Sequence, residues 1–269
     1  MAPWITQPVP FNIGQGAAAG GTDFDLSDLK TYWKFNELDG GEVKNVATDV
    51  GSSDSLGTGA DCTVNGMTID GSSASPFGYA GAFDGTNDYC VAGSSTSQFN
   101  FMHNQSALWT INYWFYSNIG TVQQAFCTMN DNSGSNRGIS QSLPPSSGGD
   151  DDLGWACGIY NGSAGYPISM EDLGSIFSEG EWHMATGTYD QSLANTNLVY
   201  YADGSEEGTT DKSSATPSNS NADFAAQIGT REASARWWNG GICEMSIWNR
   251  VLTPDEITSL YNSGNGLEL

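Results

Sequence analysis

Trp238-Asn-Gly-Gly-Ile-Cys-Glu-Met-Ser-Ile-Trp-Asn-Arg-Val-Leu-Thr-Pro-Asp-Glu-Ile-Thr-Ser-Leu-Tyr261 reads as a strand that runs into a short capped helix. Cys243, Met245 and Ile247 alternate with Glu244, Ser246 and Trp248, the period-2 signature of a half-buried strand. Thr253 then stands as an N-cap with Pro254 as the first helical residue. Glu256, three places after Thr253, completes a capping box. Ile257, Leu260 and Tyr261 fall on one helical face, and Gly264 reads as the stop.

Upstream of this block the same period recurs without a long helical pattern. Thr31–Phe35 reads as a first strand and Ala80–Val91 as strand, turn, strand. Ala107–Tyr116 is the strongest strand, setting Leu108, Thr110, Asn112, Trp114 and Tyr116 opposite Trp109, Ile111, Tyr113 and Phe115. Gln123–Met129 is expected to pair after it. Residues 130–152 read as a long polar loop holding Pro144-Pro145 and Asp150-Asp151-Asp152. Further strands are predicted at Trp155–Tyr160, Glu181–Asp190, Asn197–Gly204 and Phe224–Gly229. The Glu181–Asp190 and Asn197–Gly204 strands read as neighbours. Many short strands at near-regular spacing, with 34 glycines and 12% aromatics, predict an all-β antiparallel sandwich. The length of 269 residues fits one large β domain or two small ones.

Residues 1–28 are unlike the body. Pro3, Pro8 and Pro10, the Gly/Ala run from Gly14 to Gly21, and Asp23, Asp25 and Asp28 predict an extended N-terminal arm, with the sandwich occupying residues 29–269. The arm is expected to contact a neighbouring protein. No run is long enough to span a bilayer, and the first ten residues lack the basic and apolar regions of a secretory signal. The sequons at Asn104 and Asn161 are therefore read as unused.

The 31 acidic and 8 basic residues give a formal net charge of −23. Such a surface is strongly solvated and suits a salty medium. It excludes nucleic acid as a partner, which needs a basic face to meet phosphates. It also disfavours anionic membranes. Cys62, Cys90, Cys127, Cys157 and Cys243 are widely spaced with no C-x-x-C pair, which argues against a zinc cluster. Five is an odd number, so at least one thiol is free. They read as small buried apolar residues, with room for one or two disulfides.

Six segments, in order, carry a family resemblance: Phe83–Tyr89, Trp109–Phe115, Trp182–Asp190, Tyr200–Gly204, Gln227–Thr230 and the closing strand and helix. Together they make residues 29–264 resemble a laminin G-like domain of the concanavalin A-like lectin/glucanase superfamily. The resemblance implies a jelly-roll sandwich of two antiparallel sheets with a short C-terminal helix. It also implies glycan or protein binding, often with calcium. In the family pattern Asp stands where this chain has Asn36 and Cys243. Calcium wants several hard oxygens, so losing both carboxylates weakens a family-type site. Asp84 and Asp88 remain the candidate metal ligands.

Glycoside hydrolysis needs two carboxylates flanking the scissile bond, and the Glu-x-Asp-x-x-Glu run of the glucanase branch is missing. His183 reads as a packing residue at a strand start, and His103 has no recognisable nucleophile motif beside it. The chain is therefore read as non-enzymatic. A sugar face stacks on an aromatic ring flanked by polar side chains. Arg236, Trp237, Trp238 and Asn239 form the best such cluster, with Tyr79, Tyr160 and Tyr166 weaker. One of the two tryptophans is alternatively a core cap. Asp150–Asp152 read as a solvated loop. The expected role is a structural or adhesion protein displayed on a virion, its arm docked on other virion or surface proteins and its sandwich facing a cell-surface glycan. The alternative is a secreted bacterial carbohydrate-binding module or adhesin.

Overall fold

The computed structural model describes residues 24–118, 122–129, 137–143, 152–153, 156–161, 168–170, 176–210, 220–233 and 235–269. Most of the expected arm, the Pro144-Pro145 and Asp150-Asp151 stretch, Tyr166 and the second sequon's Ser163 lie outside the described residues.

Two antiparallel sheets make the body. The first runs in spatial order β16 (Ser205–Thr210), β15 (Leu198–Ala202), β14 (Trp182–Asp190), β7 (Leu108–Ser117), β18 (Asn239–Trp248), β5 (Ala80–Asp84) and β4 (Thr68–Asp70); β1 (Leu29–Trp33) also pairs with β18. The second runs β12 (Ile168–Met170), β11 (Ala156–Asn161), β9 (Arg137–Leu143), β8 (Gln123–Cys127), β17 (Ala226–Ile228), β6 (Tyr89–Ala92), β3 (Cys62–Asn65) and β2 (Glu42–Val43). A small ribbon joins β10 (Asp152–Leu153) to β13 (Phe177–Ser178). One apolar cluster draws on both sheets, as a jelly-roll sandwich requires. Phe99 links them, packing on Trp33 from β1 and edge-on against Phe126 from β8.

The alternation of β7 holds, but both of its faces are covered. Trp109, Ile111, Tyr113 and Phe115 enter the core, where Phe115 meets the edges of Trp238 and Phe177. On the opposite face Trp114 stacks on Tyr261 with ring centroids 5.6 Å apart. Tyr261 belongs to α1 (Pro254–Tyr261), so the C-terminal helix lies on the outside of the first sheet. Its capping box forms as the sequence predicts. The Thr253 hydroxyl accepts the Glu256 N–H at 3.3 Å, and the Glu256 carboxylate accepts the Thr253 N–H at 2.8 Å. The stop lies earlier than Gly264: Asn262 takes the left-handed conformation at φ 50° and a short 3₁₀ turn, Asn262–Gly264, follows.

Three expectations change. β18 is not half-buried: Ile242 through Trp248 are all buried, with Tyr32 and Tyr79 over Glu244, and Phe24 and Arg250 over Trp248, on positions that alternation left to solvent. Its register also breaks. Cys243 pairs with Trp114 and Ser246 with Asn112, so β18 spends one residue more than β7, and Glu244 occupies the bulge at φ 50°. Second, β8 does not pair with β7. It lies in the other sheet between β9 and β17, the chain having crossed the sandwich. Third, Arg137–Leu143 is a strand, not part of a polar loop. Ile139 and Leu143 face the core while Ser140, Gln141 and Ser142 are also buried, which masks the apolar signal. All five cysteines are buried and unpaired.

Candidate functional site

The two residue groups singled out in the sequence meet at one end of the sandwich. Asn239, the first residue of β18, pairs directly with Asp84, the last residue of β5. Between β5 and β6 the chain turns through Gly85, whose φ of 76° suits glycine. A Cβ there would stand 2.8 Å from the Asn239 side chain. Tyr89 leaves this turn, and its ring packs on Trp237 at 5.9 Å and 48°. Trp237, Tyr89, Arg236 and Asn239 are half-buried and Asp84 is exposed. The rim thus presents an aromatic pair beside an amide and a carboxylate, with Arg236 preceding Trp237 in the chain.

Hydrogen bonds fix the loop that carries the pair. The Asn239 N–H donates to Gln123 Oε1 at 2.7 Å, and the Asn118 amide donates to Asn239 Oδ1 at 3.1 Å. The carbonyl of Arg236, itself left-handed at φ 55°, accepts the Gln124 N–H at 2.9 Å. Both ends of the loop are therefore tied to β7 and β8 regions, and a ring held this way loses little entropy on meeting a ligand.

Trp238 does not belong to the rim. It is fully buried, meets Phe115 edge-on, and donates its backbone N–H to the Gly229 carbonyl at 2.9 Å. Adjacent tryptophans at a strand start point to opposite sides, so one of the two had to enter the core. Tyr79 is also not a surface ligand group, because its hydroxyl donates inward to Glu244 at 2.6 Å.

Asp84 and Asp88 organise the turn itself. Asp84 Oδ1 accepts the Thr86 N–H at 2.8 Å and the Asn87 N–H at 3.2 Å. Asp88 Oδ2 accepts the Asp84 N–H at 3.0 Å, and its other oxygen presses against Gly66, where a Cβ would stand 2.0 Å away. Burial, with the Asp84 charge adding to it, lifts the Asp88 carboxyl above its usual range despite that hydrogen bond. Calcium takes six to eight oxygens. Among the described residues no group of three or more His, Cys, Asp or Glu is assembled to hold a metal ion. The acidic pair supplies at most part of such a shell, with Asp84 Oδ1 and Asp88 Oδ2 already accepting backbone N–H groups.

Two polar clusters escape a reading of the sequence. His183, at the start of β14, holds its Nδ1 2.8 Å from Asp203 Oδ2 and its Nε2 3.1 Å from Ser178 Oγ. Asp203 Oδ1 also accepts the Met184 N–H at 2.8 Å. The order of atoms resembles a Ser-His-Asp triad. The Ser178 hydroxyl, however, has one proton and two acceptors within reach, His183 Nε2 at 3.1 Å and Glu181 Oε2 at 3.2 Å, and Phe115 and Phe177 pack against the imidazole. The arrangement ties the β15–β16 turn and β13 to β14. The pairing of β14 with β15, which brings Asp203 beside Met184, was the signal that could have found it. The second cluster is Glu244, which accepts the hydroxyls of both Tyr32 and Tyr79 from within its bulge. Burial drives its carboxyl up to about 7, against those hydrogen bonds and the nearby Lys34.

Residues 84–258, well over half of the chain, match the laminin G-type family described as the concanavalin A-like lectin/glucanases superfamily. No sequence among the curated proteins matches. Among solved structures, the chain is similar to the binding domain of Paraclostridial Mosquitocidal Protein 1, with a TM-score of 0.58 and 15% identity over 89% of this chain and 53% of that one. It is similar to Trypanosoma rangeli sialidase, solved in complex with sialic acid, with a TM-score of 0.59 and 13% identity over 94% of this chain and 36% of that one. It is also similar to domain 4 of AbnA, an extracellular arabinanase from Geobacillus stearothermophilus, in complex with arabinotriose; the TM-score is 0.54, with 15% identity over 86% of this chain and 97% of that domain. The chain thus spans about half of the mosquitocidal binding domain and about a third of the sialidase. Likenesses at this identity are likenesses of fold. No helix among the described residues is long and apolar enough to cross a membrane.

Proposed function

We propose, from the premise that this chain belongs to the concanavalin A-like lectin/glucanases superfamily, that it is a non-catalytic binding module taking a carbohydrate at the Trp237 rim. The Trp237–Tyr89 pair carries this reading. It is a half-buried aromatic surface at a strand end, flanked by Asn239 and Asp84, with Arg236 preceding Trp237 in the chain. A pyranose or furanose offers an apolar C–H face to the ring and hydroxyls to the amide and carboxylate. The chemistry asked of the rim is recognition, with stacking and two or three hydrogen bonds, and no bond is broken. One structural neighbour is a domain solved with arabinotriose, so arabino-oligosaccharides join the first ligands to test.

The wider setting follows from the charge. A surface of −23 resists adhesion to polyanions and remains soluble in salt. We read the module as displayed outside a cell, on a virion, with residues 1–28 contacting other virion or surface proteins. A secreted carbohydrate-binding module or adhesin is the second reading, favoured by the arabinotriose-bound neighbour.

A glycan array followed by calorimetry tests the binding reading. Wild-type protein is expected to bind at least one oligosaccharide, and Trp237→Ala to lose it. Silence on every glycan, or undiminished binding by Trp237→Ala, overturns it. Repeating the titration with a chelator and with added calcium tests whether Asp84 and Asp88 contribute through a metal. Recovery of the protein with purified particles separates the virion setting from the secreted one.

A further inference from the structure

The β18 bulge buries an acid whose partners are hydroxyls. Glu244 is 3% exposed, and its two carboxylate oxygens accept the hydroxyls of Tyr32 from β1 and Tyr79 from the loop before β5. Lys34, whose field it feels, pairs with Glu268 instead. A charge in such a site is costly, because water does not reach it and no ion pair compensates it.

The residues after α1 are held to the same two tyrosines. The Leu269 N–H donates to the Tyr32 hydroxyl at 3.1 Å. Gly266 lies so close to Phe77 that a Cβ there would stand 2.2 Å from the ring, and Phe77 packs on Tyr79 with centroids 6.0 Å apart. The Gly266 and Leu267 N–H groups donate to the carbonyls of Tyr261 and Leu260 at 3.1 and 3.0 Å, which fastens the near end of the segment to the helix. Leu267 and Glu268 are exposed. Few buried apolar contacts hold this stretch, which places it among the parts of a fold that open at low cost.

The titratable and charged groups facing Glu244 are Tyr32 and Lys34 on the β1 side, Tyr79 from its loop, Cys243 beside it on β18 and Glu268 from the closing segment. Burial pushes the Tyr32, Tyr79 and Cys243 protons to higher pH, so these three stay neutral. Burial also lifts the Glu244 carboxyl from 4.5 to about 7, with the Glu268 charge adding to it and the two hydroxyls and Lys34 opposing. Glu268 is thus the one facing group that repels an ionised Glu244. Lifting the closing segment removes that like charge and lets water approach the carboxylate. Opening the site from the other side would break the pairing of β1 with β18, a much larger loss. A seated segment that binds the Glu244 proton more tightly than a lifted one must lift more often as pH rises.

We propose that Gly266–Leu269 is a pH-operated latch, seated on Phe77 and Tyr32 while Glu244 is protonated and released when Glu244 ionises. The latch is separate from the Trp237 rim and does not depend on what that rim binds.

Amide hydrogen exchange of the full chain, followed by NMR at pH 5.5 and pH 8.5 and corrected for the intrinsic pH dependence of exchange, tests this. Protection at Leu267 and Leu269 is expected to fall about tenfold or more between the two values. The fall is expected to be insensitive to low urea, because a local opening exposes little surface. In Glu244→Gln the protection of both amides is expected to stay within about twofold across the same range. Equal protection of the wild type at both pH values overturns the proposal without recourse to a variant. So does an equal fall in Glu244→Gln, or a fall at Leu269 that steepens with urea as that of Ile247 in β18 does, since the segment would then open only when the whole sandwich unfolds.

Discussion

Glu244 accepts the Tyr79 hydroxyl at 2.6 Å from inside a β-bulge, in a left-handed backbone conformation, and it is 3% exposed. Tyr32 donates to the same carboxylate, and the Leu269 N–H donates to the Tyr32 hydroxyl at 3.1 Å. Lys34 pairs with Glu268 next to them. A single buried acid thus joins β1, the Tyr79 loop, β18 and the C-terminal residues.

The pH dependence of stability follows from this acid. Its folded pKa, raised from 4.5 to about 7 by burial, exceeds that of the unfolded chain, so the folded state holds the proton more tightly. The associated stability is complete below about pH 4.5 and is lost as pH rises through 7, a change of about 3 kcal/mol. Glu244→Gln is expected to be more stable relative to wild type at pH 8 than at pH 5. Urea denaturation at the two values measures it, and an equal difference at both would show that Glu244 does not carry the effect.

The adjacent tryptophans should separate cleanly. Trp238→Ala empties a core site beside Phe115 and is expected to cost 3–5 kcal/mol, roughly the range for large aromatics. Trp237→Ala removes a half-buried ring and is expected to leave stability within about 1 kcal/mol while abolishing glycan binding. Denaturation curves and glycan titrations on the same two proteins check both halves.

His183 should behave as a structural bolt. His183→Ala leaves Asp203 without its imidazole partner and opens a gap against Phe177, with an expected loss of about 2–4 kcal/mol. Ser178→Ala should cost less than about 1 kcal/mol. A fluorophosphonate probe is expected to leave Ser178 unlabelled; labelling that disappears in Ser178→Ala would establish a nucleophile instead.

The cap of α1 gives a smaller effect. Thr253→Ala removes the acceptor of the Glu256 N–H and is expected to cost about 1 kcal/mol. Glu256→Ala should cost more, because Arg250 then loses both hydrogen bonds, at 2.7 and 2.9 Å, to that carboxylate. Thermal melts of both variants rank the two contributions.

Local chemistry was enough for much of this protein. The capping box at Thr253, the turn at Asp84–Tyr89, the two faces of Leu108–Tyr116 and the sandwich class were all legible, because each rests on neighbours in the chain: hydrogen bonds three residues apart, or side chains that alternate along a strand. The Trp237–Asn239 cluster was legible as chemistry but not as geometry. Only register brings Asn239 opposite Asp84 and divides Trp237 from Trp238 between rim and core. The sandwich crossing that separates β7 from β8, the strand hidden in Arg137–Leu143, the bulge at Glu244 and the His183–Asp203 pair were decided by the tertiary structure alone. In each, a residue's environment is set by a partner far along the chain, and covering a second face removes the polar alternation from which burial is read. Sequence determined which segments could be strand or helix; packing determined which side chains were left to meet a ligand.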